Sequence, residues 1–190
     1  MTLERIRAGD VEALGELLRD AWAPLLRHLG PIAGSADAAE DAAQEAFVRL
    51  WERREHWQYG SARALLFRIG RNAALDATRR GEVRERRQRH PLAGPPAPAT
   101  PEEELAQTEV RARVEAALAG LAPRRREVFE LVRFGGLTYQ EVAEALELSP
   151  QTVANHMSFA LRDLRSELAE VVGGGAQVGE DREERRSRDG

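Results

Sequence analysis

The sequence predicts an all-α protein of two small helical domains joined by a flexible proline-rich linker, the C-terminal domain containing a helix-turn-helix. Three observations carry that expectation. Apolar residues recur at spacings of three and four, β-branched residues are sparse, and no alternating strand pattern occurs. Between Gly81 and Pro101 the periodicity breaks, passing from an arginine-rich run into P-L-A-G-P-P-A-P-A-T-P, which holds more than half of the 9 prolines. Finally, L-T-Y-Q-E-V-A-E-A-L-E-L-S-P-Q-T-V-A-N-H-M-S-F-A-L-R-D-L-R, from Leu137 to Arg165, spells two short helices joined by a tight turn, each with its own chemical start signal.

The elements follow in order. Leu3 to Leu29 reads as one or two helices around Gly9-Asp10, with Asp10 able to cap the second and Pro24 a point of kinking or termination. Pro31 to Ser35 reads as a loop. Asp37 to Arg54 forms a long helix with Ala39, Ala43, Phe47 and Leu50 along one stripe. W-Q-Y-G, from Trp57 to Gly60, connects it to a helix over Ser61 to Arg80 that buries Leu65, Leu66, Ile69 and Ala73. Residues 1–80 make the first domain and 81–101 the linker. Helices resume over Glu102 to Ala119 and Pro123 to Phe134, so 102–172 make the second domain. The remaining residues, 173–190, lack apolar anchors and are expected to be disordered.

In the helical pair, Thr138 stands three residues before Glu141, the spacing of a capping box. Ser149 is placed to cap the second helix, with Pro150 at its first position, where a missing N–H does no harm. Val153, Met157, Ala160 or Leu161, and Leu164 form its inward stripe. Thr152, Asn155, His156, Phe159 and Arg162 then face outward, on the side that enters a DNA major groove in a helix-turn-helix.

Composition narrows the function classes. With no cysteine, disulfides and thiolate metal sites are excluded. No apolar run approaches the roughly 20 residues that span a bilayer, and the first ten residues lack a signal-peptide core, so a cytoplasmic protein without membrane insertion is expected. His28, His56, His90 and His156 are scattered without ligand spacing, and no phosphate loop or nucleophile with a base appears. No enzyme, metal or cofactor is expected. The net charge of −4 does not advertise nucleic-acid binding, and all 28 basic residues are arginine. That choice suits phosphate and guanine contacts, and a GC-rich coding bias explains it equally.

Two further faces are candidates. Asp41, Gln44 and Glu45, with Val48 and Arg49, fall outside the apolar stripe of their helix; they suit either the helix dipole or a partner's basic helices. Arg63, Arg68, Arg71, Asn72, Asp76, Arg79 and Arg80, preceded by Trp57 and Tyr59, make a face able to pair phosphates and stack unpaired bases, or simply a solvated surface. These residues alone leave open a polymerase subunit, a stand-alone repressor or activator, and a helical adaptor.

The succession D-A-A-E-D-A-A-Q-E-A-F-V-R-L-W-E-R, L-L-F-R-I-G-R-N-A-A-L-D-A-T-R-R and L-A-P-R-R-R-E-V-F-E-L-V-R-F-G-G-L-T-Y-Q-E-V-A-E-A-L-E-L-S-P-Q-T-V resembles the extracytoplasmic-function sigma factors, small transcription-initiation subunits that keep regions two and four. The resemblance runs from about Leu3 to Leu168. It implies that Asp41, Gln44 and Glu45, with Phe47, Leu50 and Trp51, meet the clamp helices of core RNA polymerase. Arg68, Arg71, Asn72, Asp76, Arg79 and Arg80, with Arg63, fall on the helix that meets the minus-ten element. Trp57, Tyr59 and their neighbours match the loop that holds a base flipped from the single strand. Thr138, Tyr139, Ser149, Gln151, Thr152, Asn155, His156, Phe159 and Arg162 fall on the helix-turn-helix that reads the minus-thirty-five duplex, and Pro123 to Phe134 on the helix facing the polymerase flap. An anti-sigma factor is a further implied partner. Many relatives carry a more basic recognition helix than Gln151, Ala154, Asn155, His156 and Phe159 provide, and Leu65 replaces a common tryptophan; both departures bear on promoter sequence.

Overall fold

The computed structural model describes residues 2–57, 60–81 and 112–186. Every regular element among them is helical: α1 (Thr2–Arg7), α2 (Val11–Ala33), α3 (Ala36–Glu52), a 3-10 turn (Arg54–His56), α4 (Ala62–Gly81), α5 (112–120), α6 (Pro123–Arg133), α7 (Tyr139–Leu146) and α8 (Pro150–Arg186). Residues 82–101 of the expected linker, the start of the helix expected from Glu102, and Tyr59 lie outside the described residues. The chain forms two compact units. One combines Met1–Pro95 with Glu127–Ala154, the other Pro96–Arg126 with Asn155–Gly190.

In the first unit, α1 and α2 part at Gly9, whose φ of +81° is the left-handed conformation glycine adopts without steric cost. Asp10 caps α2, its Oδ1 accepting from the Ala13 N–H at 3.1 Å. Neither Pro24 nor Pro31 ends the helix, and the loop expected over Pro31 to Ser35 shortens to Gly34 and Ser35: α2 continues to Ala33 and stops at left-handed Gly34, whose N–H donates to the Gly30 carbonyl. A proline inside a helix costs about 3 kcal/mol. Against that, α2 buries Leu17, Leu25 and Leu29, each contributing roughly 1.5–3 kcal/mol, so tertiary packing overrides the local breaker.

Ser35 starts α3, its Oγ accepting from the Ala38 N–H at 3.2 Å. Helices α2, α3 and α4 pack pairwise into a three-helix core. The stripe expected on α3 is buried in full, as are Leu65, Leu66, Ile69 and Ala73 of α4. Close approach depends on Gly70, where a Cβ would sit 3.2 Å from Leu29 Cδ1 and 3.3 Å from Leu25 Cδ1.

The sequence assigns α6 and α7 to its second block, yet from Glu127 onward they join the N-terminal helices in one unit. Val128, Leu131, Leu137, Val142, Ala143 and Leu146 belong to the same buried cluster as the cores of α2, α3 and α4. Their apolar faces bury against whichever surface complements them, and periodicity alone does not specify which.

The second unit buries Ala117, Leu118 and Leu121 from the region of α5 and Met157, Ala160 and Leu164 from α8. Of the two residues the sequence left as alternatives, Ala160 is the inward one. An ion pair between Arg125 and Asp163 at 2.6 Å lies in the same unit. Helix α8 runs on to Arg186, beyond Gly173, where the sequence expects disorder. No proline follows Pro150 in that stretch, and each glycine weakens a helix by only about 1 kcal/mol relative to alanine.

Candidate nucleic-acid interface

The helical pair forms as its start signals require. Thr138 Oγ1 accepts from the Glu141 N–H at 3.2 Å while Glu141 Oε2 accepts from the Thr138 N–H at 2.8 Å, a complete capping box. Helix α7 closes at Glu147, whose φ of +56° is left-handed without a glycine. Ser149 then caps α8, its Oγ accepting from the Thr152 N–H at 3.0 Å. Val153 and Met157 turn inward; Gln151, Asn155, Phe159 and Arg162 lie exposed, and Thr152 and His156 are half-buried. Tyr139, on α7, is 41% exposed.

Phe159 is not an isolated aromatic. The guanidinium carbons of Arg125 and Arg162 each lie 5.0 Å from its ring centroid, and Asp163 holds Arg125 at 2.6 Å. Arg125, at the start of α6, was not among the candidates drawn from sequence, because a separation of 34 positions hides the pairing.

The arginine face of α4 is more occupied than its sequence implies. Arg63 donates twice to the Gly135 carbonyl, from Nε at 3.0 Å and Nη2 at 2.6 Å. Arg71 pairs with Glu127 at 2.6 Å, both side chains at least three-quarters buried. Arg79 pairs loosely with Asp76 at 3.6 Å on the exposed side, near exposed Asn72. Arg80 lies on α4 by its backbone. Arg68 lines an open cavity of about 250 Å³ with Gly60, Ala64, Leu65 and Glu144. Trp57, expected to stack on a base, is half-buried against the core and donates its indole N–H to the Leu50 carbonyl at 3.2 Å.

On α3, Asp41 and Gln44 are exposed, Glu45 is half-exposed and ion-paired to Arg49, and Val48 is 53% exposed. Phe47 and Leu50, placed by the resemblance beside the polymerase contact, are core residues at 6% and 0% exposure. They hold the ridge from beneath. Trp51 is half-buried, with the Arg54 guanidinium 4.7 Å from its ring.

Two titrating groups are perturbed. His28, buried beside the Phe67 ring, has its pKa pushed down to about 4, chiefly because burial penalises its charged form, and its Nε2 has no hydrogen-bond partner. For Glu141 burial acts upward, but hydrogen bonds from Ser61 and Thr138 outweigh it and hold the carboxyl below its ordinary value.

The chain thus carries two capped helices with an exposed outer face, and a three-helix core bearing an arginine helix and an acidic ridge. Residues 9–84 match the family described as Sigma-70 region 2, and residues 111–164 match Sigma-70, region 4. The chain is 32% identical over 162 residues to the ECF RNA polymerase sigma factor SigL of Mycobacterium tuberculosis, an alignment covering 84% of this chain and 91% of SigL. It is 32% identical over 133 residues to SigK of Mycobacterium bovis, covering 67% of this chain and 71% of that relative. Among solved structures, CnrH in complex with the cytosolic domain of CnrY is similar with a TM-score of 0.60 at 25% identity, covering 89% of this chain and 96% of CnrH. The chain belongs to the extracytoplasmic-function sigma factors. It is an RNA polymerase sigma factor, directing promoter-specific initiation through minus-ten and minus-thirty-five elements.

Proposed function

We propose the following division of labour within that role. Asn155 and His156, with Gln151 and Thr152, read base edges of the minus-thirty-five duplex, Asn155 being suited to adenine. Thr138, Tyr139 and Ser149 meet the backbone at its border. Arg125 and Arg162, seated on Phe159, supply phosphate contacts that the recognition helix otherwise lacks. Arg68, Arg71, Asn72, Asp76, Arg79 and Arg80, with Arg63, receive the minus-ten strand, and Tyr59 stacks an extruded base. Asp41, Gln44, Glu45 and Val48 dock on core polymerase. The exposed reading face at the start of α8, set by the Ser149 cap, is the observation that carries this reading.

No bond chemistry is required. Extruding a base costs on the order of a few kcal/mol, and aromatic stacking returns roughly 1–3 kcal/mol per base, so selective binding of the unstacked strand drives melting. Work on polymerase and promoter DNA places the protein in the cytoplasm. The complex of the similar CnrH with the cytosolic domain of CnrY supports an inhibitory protein partner, an anti-sigma factor, for this chain as well.

Run-off transcription with purified core polymerase on genomic fragments tests the reading. Transcripts dependent on this chain are expected, and Asp41→Arg with Glu45→Arg should abolish both transcripts and polymerase binding while leaving the helical signal intact. A polypeptide that ignores core polymerase and binds an inverted repeat as a symmetric pair would overturn it.

A further inference from the structure

On α8, Phe159, Arg162 and Asp163 stand at positions i, i+3 and i+4, the spacing that brings side chains together on one helical face. Arg125, in the first turn of α6, completes the group within the second unit. Asp163 divides its carboxylate between the two cations: Oδ2 accepts from Arg125 Nη1 at 2.6 Å and Oδ1 from Arg162 Nη2 at 3.4 Å. Both guanidiniums also lie 5.0 Å from the Phe159 ring centroid. The Arg125 and Asp163 side chains are 33% and 30% exposed, that of Arg162 68%. Ring and carboxylate thus fix the Arg125 guanidinium, and Asp163 engages only one edge of its fork of donors.

At about 1.5 Å of rise per residue, Phe159 stands about 6 Å and Arg162 about 10 Å beyond Asn155 along α8. With Asn155 over the base edges of a groove about 12 Å wide, the cluster reaches the groove wall, where the phosphates stand. Two guanidiniums and one carboxylate leave a single net positive charge, so the cluster attracts DNA weakly. Its strength is geometric, because a long side chain already held in place loses little rotamer freedom on binding. Resting on the proposed minus-thirty-five reading, we infer that Asp163 is a positioning residue of the promoter interface. It touches no DNA, and it holds Arg125 on the Phe159 ring so that this guanidinium meets a backbone phosphate at the edge of the element. The carboxylate gives up general attraction for a fixed geometry.

The test compares holoenzymes carrying the full chain on one promoter duplex, reading log affinity against log salt. Arg125→Ala should lower the slope by about one unit. Asp163→Ala should lower it equally with base preference unchanged, and Asp163→Asn, which keeps an oxygen able to accept from Arg125, should restore most of it. Should Asp163→Ala fail to fold, Asp163→Ser, too short to reach the guanidinium, takes its place. Tighter binding and a steeper slope in both Asp163 variants would mean that the carboxylate only competes with DNA for Arg125, and that result overturns the inference. A loss that Asp163→Asn does not restore at all overturns it too, since it marks general damage to α8. A slope untouched by Arg125→Ala removes the phosphate assignment itself, whereas a slope lowered by Arg125→Ala and not by Asp163→Ala removes the positioning role alone.

Discussion

Helices α4 and α8 carry the two DNA-reading candidates, and they are built on opposite terms. The outer face of α8 is exposed: Asn155, Phe159 and Arg162 stand clear of a one-sided stripe of Val153, Met157, Ala160 and Leu164. Helix α4 is buried on nearly all sides, with Ala64, Leu65, Leu66, Phe67, Ile69, Ala73 and Ala74 in the core and two of its arginines held by α6 and the turn after it. A reader that only docks can live on the surface, whereas one that also forms the centre of a bundle couples DNA contact to stability. Substitutions on α8 should change recognition alone; on α4 they should change folding first.

The sharpest way to break that contrast is Leu66→Ala. Leu66 is fully buried, and the truncation should cost about 2–5 kcal/mol, read as a lowered urea midpoint. A loss below about 1 kcal/mol would show that α4 is not the packed centre described above.

His28 tests the same core through pH. Its folded pKa of about 4 lies below the ordinary 6.5, so the unfolded chain takes the proton first and stability falls as pH drops below about 6.5, levelling off near pH 4. The full difference is about 3 kcal/mol. Glu141, with a lowered pKa, contributes stability that is complete above its ordinary 4.5 and lost only below that, so urea midpoints compared between pH 7.5 and pH 5 isolate the histidine. His28→Leu, which also removes an unpartnered buried nitrogen, should flatten the dependence without loss at neutral pH. An unchanged slope would place the titration elsewhere.

The smallest stability effects belong to α8. Asn155→Ala with His156→Ala should leave the midpoint within about 0.5 kcal/mol and change minus-thirty-five preference by about 1–3 kcal/mol at the bases they read, measured by competition among promoter variants with holoenzyme. Phe159→Leu sharpens the picture further. If the ring seats Arg125 and Arg162, the slope of log affinity against log salt falls by about one unit with preference unchanged. A changed thymine preference at constant slope would instead make Phe159 a reader of the thymine methyl.

Much of the architecture was legible in local chemistry. Asp10, Thr138 and Ser149, read as caps, each accept from the backbone N–H three residues on, and Ser35, read as loop, does the same. The inward stripes of α3, α4 and α8 follow helical spacing. Proline punctuation misled at Pro31, and Pro24 does not end its helix, because the cost of one missing hydrogen bond is local and the burial that offsets it is not. Phe47 and Leu50, which the resemblance sets beside a partner, are buried in the core, and Trp57 is half-buried against it.

The amino-acid order by itself determined the all-helical class, the helix starts, the two-block plan and membership in the sigma family, since each depends on propensities and spacings within a few turns of chain. Only the tertiary structure decided that Glu127, Glu141 and Glu144 meet the α4 region, that Arg125 and Phe159 stack, and that α6 and α7 share a core with the N-terminal helices. Those pairings join residues far apart in the chain, and an acidic or apolar helix face carries no label naming the surface it will cover.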